Sequence, residues 1–272
     1  KTVEIAKNYQ VKTFSRPNNP MLNVNKNYGF TKASNDWILN LDADERVTLE
    51  LRDEIEQILQ DRHSGLLALS LPNVSRIDGY WLPRKNIIFG KWIKSQMWWP
   101  DYQLRLFRNG QGQFPEKHVH EKIEIKGETT QLKNPLIHEN YSSVSQFLYK
   151  MDKIYTENEV EIFLKSGKKI SWVDSLKWPI ADFLKTFFAQ EGYKDGLHGL
   201  VLSFLQAFYA EVTFAKIWER QGFREEELEL GEINREFKKS GKEINYWLWE
   251  VQIREAKNQL QKLIFKLKRK LK

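Results

Sequence analysis

Among 272 residues there is no cysteine. That excludes a disulfide framework, a thiolate nucleophile and a cysteine zinc site, and it fits a reducing cytosolic setting. Any metal must rest on carboxylate, imidazole or water. No apolar run reaches the roughly 18 to 20 residues that a bilayer span needs, and residues 1–12 hold no signal-peptide core. The expectation is a chain that is neither exported nor membrane-spanning. GxSxG, P-loop and GxGxxG patterns are missing too, which removes the usual support for a serine hydrolase, a Walker ATPase or a dinucleotide enzyme. Positive charge is scarcer than the formal +7 suggests. Seven of the 43 basic residues, and no acidic one, fall between Lys257 and Lys272, so the rest of the chain is balanced at 36 against 36.

What is present begins with composition: 41% apolar residues over this length can build a real core, as one large domain or a domain with a helical extension. The most informative stretch is Trp37-Ile38-Leu39-Asn40-Leu41-Asp42-Ala43-Asp44-Glu45, a short apolar run ending in three carboxylates. Such a run reads as a buried strand of a parallel α/β sheet, and ligands bind past the carboxyl ends of those strands. Asp42 and Asp44 are two apart, so in extended backbone they point the same way, and convergent oxygen ligands suit Mg²⁺ or Mn²⁺. The competing reading is that the carboxylates cap a helix, for which Glu45 to Ile58 has the pattern.

Along the chain, Lys1–Tyr9 reads as a helix without a visible cap, as if the chain began in mid-fold. Val11–Phe14 is a short strand candidate, Asn18–Pro20 a turn, Asn23–Ala33 a helix and Leu66–Leu71 a further apolar run. This alternation is that of an α/β sheet. Residues 80–108 are dense in aromatic and basic side chains, suited to sugars and phosphates or simply to a Trp-filled core. From Ser145 to Arg220 the pattern is helical and apolar, divided by Gly192 and Gly196. Glu225–Glu229 is an acidic connector, and the end is a long polar helix. We expect three regions: a catalytic domain over 1–144, an apolar helical region over 145–222 on the acceptor or membrane side, and a charged helical tail over 223–272. In that tail Leu260, Leu263, Ile264, Leu267 and Leu271 form a helical stripe between lysines, the pattern of a basic helix lying on an anionic membrane surface. A terminal helix packed on its own domain is the alternative. With one Phe in the tail and no nucleic-acid motif, nucleic acid is not an expected partner.

Three segments carry further polar chemistry. In Asp101-Tyr102-Gln103-Leu104-Arg105 the alternating period brings an acid, an amide and a cation to one face of a strand. His118-Val119-His120-Glu121-Lys122 offers an acid flanked by imidazoles, and His138 follows a short apolar run as a candidate ligand. Arg84, Lys85 and Arg105 are candidates to hold a phosphate, or to sit in surface ion pairs.

Taken together, these segments resemble the family 2 glycosyltransferases of GT-A fold, and within them the lipopolysaccharide core β-glucosyltransferase type. The residues that carry the likeness are Lys1-Thr2-Val3-Glu4-Ile5-Ala6-Lys7, Asn25-Lys26-Asn27, the Leu41–Glu45 run, Pro100–Arg108 and Val119–Lys122, over about residues 1–220. The resemblance implies an α/β Rossmann-like nucleotide-diphospho-sugar transferase fold with a helical C-terminal extension. It matches Asp42 and Asp44 to the Asp-x-Asp pair, Asp44 being the direct metal ligand and Asp42 lying nearer the nucleoside or sugar. Lys26 and Asn27 would lie near the donor nucleotide, with Arg84, Gln103 and Arg105 on the donor as well. His138 would complete the metal or diphosphate site. Glu121 would be the catalytic base, with Asp101 the second candidate.

The implied activity is a metal-dependent, inverting transfer of a hexose, glucose foremost, from a nucleotide sugar such as UDP-glucose to a glycan or lipid-linked acceptor. The implied setting is the cytoplasm, peripheral on the inner face of the membrane. Against the family pattern the chain opens just after the acidic Asp-Gly-Ser-x-Asp turn that grips the nucleoside, so it reads as N-terminally truncated. An inactive nucleotide-sugar-binding relative and a basic peripheral membrane adaptor are the competing readings.

Overall fold

The computed structural model describes residues 2–17, 22–63, 77–116 and 121–271. The expected turn at Asn18–Pro20, the apolar run Leu66–Leu71, and His118 and His120 lie outside these residues. By contacts the chain divides into two compact units, the first made of Lys1–Asp42, Leu49–Leu82 and Tyr102–Asn134, the second of Ala43–Thr48, Pro83–Asp101 and Pro135–Lys272.

The first unit opens with α1 (Thr2–Asn8) and α2 (Leu22–Phe30), followed by β1 (Trp37–Leu39) and α3 (Leu49–His63). Val11–Phe14, expected as a strand, has no regular structure and lies exposed. Strand β1 does form where the apolar run predicts, but it pairs antiparallel rather than parallel, Trp37 to Leu39 opposite Arg108 to Leu106 of β5 (Asp101–Arg108). The expected parallel partner is replaced by a strand more than sixty residues later, which no local pattern encodes. The first half of β3 (Ile77–Ile88) pairs parallel with β8 (Glu128–Gln131), and the small β6 (Gly112–Gln113) pairs with β7 (Glu124–Ile125). The core gathers Ile38, Leu104, Phe107, Phe114 and Ile123, with Phe30 bringing α2 onto it by stacking on Phe114. Burial of such rings contributes roughly 1.5–3 kcal/mol each. At Gly112 a Cβ would sit 2.5 Å from the Phe107 ring, so only glycine lets β6 lie this close.

In the second unit the later half of β3 pairs parallel with β9 (Leu136–Tyr141) and antiparallel with β4 (Lys91–Trp92), while β9 also pairs antiparallel with β2 (Glu45–Val47). Pro83, which has no N–H to give, falls between the β3 run that pairs β8 and the run that pairs β9. The helix expected over Glu45–Ile58 therefore starts later, at Leu49, because Glu45–Val47 is a strand. This corrects the helix-cap reading of Glu45, whose side chain is wholly buried in an ion pair.

Helices follow: α4 (Val144–Lys150), capped by Ser143, then a π-helical turn over Met151–Tyr155 and α5 (Thr156–Lys165). Helix α6 (Trp172–Phe183) starts at a capping box of Ser171 and Asp174. Pro179 interrupts its hydrogen-bond ladder, and the helix passes into a second π-turn over Leu184–Ala189. A 3₁₀ turn (Gly192–Asp195) leads to α7 (Leu197–Arg220), which packs on α5 and α6. By length and composition α7 could cross a membrane, with a mean hydropathy of 1.4 and a third of that stretch buried. That corrects the expectation that no segment is long and apolar enough, since scattered polar residues such as His198, Gln206 and Glu211 hide it in the sequence. A packed core helix passes the same test. Last come α8 (Leu230–Arg254) and α9 (Gln259–Leu271), packed together.

Candidate active site

In the first unit α2 presents three polar side chains at about one-turn spacing, which puts Asn23, Lys26 and Asn27 on one side of the helix. Lys26 Nζ lies 2.6 Å from Asp42 Oδ1, and Arg105 Nη2 lies 2.6 Å from Asp42 Oδ2. Burial works against the charge of Asp42, but Arg105 and Lys26 outweigh it and hold its carboxyl below the usual range. Arg105 is placed for this by β5, whose backbone carbonyl at Arg105 also accepts from Asn40 N–H at 2.8 Å. Asn23 Nδ2 donates to Glu121 Oε2 at 3.1 Å. Asn27 is used differently from the expectation. Its amide donates to the Phe114 carbonyl and to Glu116, and its Oδ1 accepts from Phe114 N–H, so it clamps a loop. Gln103 lies half-buried in mid-β5.

In the second unit a chain of buried polar groups runs through β2, β3, β9 and Asp101. Arg84 donates twice to Asp101 Oδ2, at 2.9 and 2.5 Å, and once to Glu45 Oε1 at 3.3 Å. Asn86, wholly buried in β3, donates through Nδ2 to the Trp98 carbonyl at 2.9 Å and to Asp101 Oδ2 at 3.2 Å. A carbonyl can only accept, so that contact fixes which end of the Asn86 amide is nitrogen. Its Oδ1 then faces His138 Nδ1 at 2.6 Å, which must carry the proton.

The consequence lies at the other ring nitrogen. Burial, with Arg84 nearby, pushes the His138 pKa below its ordinary value, so the ring is neutral near pH 7 and Nε2 carries a lone pair. Nε2 stands 3.6 Å from Asp44 Oδ2. A lone pair and a carboxylate oxygen face to face repel unless a cation lies between them. Among the described residues no group of three or more His, Asp or Glu side chains is disposed to hold a metal. An Asp–His pair nevertheless suits Mg²⁺ or Mn²⁺, which keeps several waters and takes the rest of its shell from substrate phosphates. The Nδ1–H bond to an amide oxygen is the support that metal-ligating imidazoles require.

Of the expected residues, the structure brings Lys26, Asp42 and Arg105 together in one unit and Asp44, Arg84, Asp101 and His138 in the other. Asn86, Asn23 and the buried role of Glu45 were not foreseen. A signal for Asn86 existed: an amide inside an alternating strand is rarely fully buried without a task.

Residues 1–123 match the sequence model of glycosyl transferase family 2. Over these residues, a little under half of the chain, the sequence is similar to glycosyl transferase family 2. Its mixed sheet and helices are the α/β GT-A fold. The chain is also 26% identical over 201 residues to the lipopolysaccharide core biosynthesis glycosyltransferase LpsC of Rhizobium meliloti, covering 73% of this chain and 70% of that protein. An uncharacterized glycosyltransferase of Rickettsia prowazekii is 28% identical over 198 residues, 71% of this chain and 65% of its own. One from Rickettsia typhi is 28% identical over 224 residues, 80% and 74% respectively. The chain thus spans about two thirds to three quarters of these relatives.

Proposed function

We propose that the protein is an inverting hexosyltransferase of lipopolysaccharide or cell-surface polysaccharide synthesis, with a nucleotide sugar, UDP-glucose foremost, as donor and a glycan or lipid-linked glycan as acceptor. The observation that carries this reading is the neutral His138 Nε2 facing Asp44, two positions after an aspartate already held by two cations. The name of the Rhizobium relative supports the acceptor class.

A Mg²⁺ or Mn²⁺ held by Asp44 and His138 would supply charge neutralisation on the departing diphosphate. The chain's own residues do the remainder. Asp42, oriented by Lys26 and Arg105, accepts from hydroxyls of the nucleoside or sugar. Glu121, with Asn23 steadying its carboxylate, takes the proton from the acceptor hydroxyl as that oxygen attacks the anomeric carbon and the bond to the diphosphate breaks. A single base suffices, because direct displacement forms no covalent sugar intermediate. Asp101 is the weaker candidate: its Oδ2 already accepts from Arg84 and Asn86, and a proton arriving there must displace a guanidinium. Arg84 thus aligns Asp101 and Glu45 instead of gripping donor phosphate.

The protein works at the anionic inner face of the membrane, and α9 supports this. A helix turns about 100° per residue, so Gln261, Phe265 and Arg269 share one face. Phe265 meets Trp249, and Arg269 meets Tyr246 and Glu250, so this face is the one packed on α8. Leu260, Leu263 and Leu267 lie opposite and are exposed, with Lys262, Lys266 and Lys270 flanking them. The leucine stripe is therefore not the folding face of the helix. Each flanking cation contributes about 1 kcal/mol near anionic lipid.

Calorimetry of the full-length protein with UDP and Mn²⁺, followed by a donor screen read by product mass, tests the reading. Metal-dependent UDP binding that is lost in Asp44→Ala, together with transfer from one donor, is the expected result. Binding without turnover would point to an inactive relative, and no metal-dependent binding would leave only the adaptor.

A further inference from the structure

A cavity of about 620 Å³ opens in the second unit among α5, α6 and α7, within the roughly 300–1,000 Å³ range of ligand pockets. Its floor is apolar, with Ala210 and Ile217 buried, and its walls carry Trp178 and a set of planar polar groups. Asp182 from α6 and Gln206 from α7 line it together, as do Glu159 from α5 and Tyr209 from α7. Burial raises the pKa of Asp182. Lys168 and Lys185 stand exposed at the rim.

Two features mark the cavity as more than loose helix packing. One π-helical turn, Leu184–Ala189, supplies Lys185 to its lining, and π-turns inside helices occur frequently at functional sites. On its far side Tyr209 packs against the cluster containing Tyr141, three residues beyond His138 on β9, so the wall of the cavity leans on the strand of the candidate metal ligand.

The chemistry of the lining selects the ligand. Carboxylates at Asp182 and Glu159 repel a diphosphate but accept well from hydroxyl groups, and an indole face packs on the C–H face of a sugar ring. Rim lysines suit acidic substituents on such a chain. We propose that this cavity binds the oligosaccharide portion of the acceptor, with Trp178 as the stacking surface and Asp182, Gln206, Glu159 and Tyr209 as partners of its hydroxyls. The inference rests on the transferase reading for the identity of that glycan.

The test is calorimetry on the full chain with two probes, deacylated lipopolysaccharide core oligosaccharide and UDP with Mn²⁺. Trp178→Ala should weaken oligosaccharide binding about tenfold or more while changing UDP binding less than about twofold. Asp182→Asn, isosteric and safe for folding, should weaken it about threefold or more, and Asp44→Ala should show the reverse pattern. Oligosaccharide binding unchanged in both cavity variants, or none by the unsubstituted protein, overturns the proposal. Oligosaccharide binding without any UDP binding sustains the cavity and sinks the transferase reading, so the two failures are distinguishable.

Discussion

Asp42 and Asp44 are neighbours but one in the chain, yet they meet opposite surroundings. The first is gripped by a lysine and an arginine, its negative charge already answered. The second is more exposed and faces a histidine that burial keeps neutral, with its charge unanswered by that ring. An aspartate with cations on both oxygens is a shaped acceptor, suited to orienting hydroxyls. One opposite a lone pair is, on the function proposed above, half of a cation site. The same residue type thus meets two environments because β5 delivers Arg105 to one and β9 delivers His138 to the other.

The acids Glu121 and Asp101 extend the contrast, and the largest effect is expected there. Glu121→Gln should lower turnover about 10²–10⁴-fold while UDP affinity holds. Asp101→Asn should act mainly on stability, because it leaves the Arg84 guanidinium partly buried beside a neutral amide. Rapid-quench turnover with parallel urea melts separates the two, and a larger turnover loss at Asp101 would exchange their roles. Next, Asn86→Leu should cost about 2–4 kcal/mol in urea unfolding, since the Trp98 carbonyl and His138 Nδ1 both lose a buried partner. It should also abolish the metal dependence of UDP binding.

These cases mark where the sequence could be read and where it could not. Helices α1 and α2, strand β1 and the placement of the aspartates at its end follow from periodicity within ten residues. The grouping of Asp101, Gln103 and Arg105 on one strand was equally legible, as was the basic amphipathic end. What stayed hidden depends on distant pairing. Glu45 joins a strand instead of a helix because β9 lies alongside it, and it meets Arg84 from 39 positions away. Asn86 acquires its task from His138, 52 positions on. Asn27 has the spacing of a donor contact, but Phe114 and Glu116 fold back onto it.

Smaller effects sharpen the comparison further. Asp42→Asn should weaken UDP or sugar-nucleotide binding about tenfold, by calorimetry, while leaving Mn²⁺ affinity near that of the parent. The smallest effect lies away from the chemistry. Hydrogen bonds from Lys153 and Lys216 hold Asp152 at about 2, below its ordinary 3.8. A depressed carboxyl stabilises the fold above the unfolded value and loses that contribution as pH falls toward 2. For so exposed a group it amounts to less than about 1 kcal/mol. Urea midpoints of the parent and Asp152→Asn should therefore differ slightly at pH 5 and converge near pH 2. A gap that persists at pH 2 would assign the effect to packing.

The most direct test of the central claim is Mn²⁺ binding followed by electron paramagnetic resonance, with UDP present, across the parent, Asp42→Asn, Asp44→Asn and His138→Ala. The account predicts that bound Mn²⁺ survives Asp42→Asn and is lost in both Asp44→Asn and His138→Ala. Mn²⁺ retained in Asp44→Asn but lost in Asp42→Asn would contradict it.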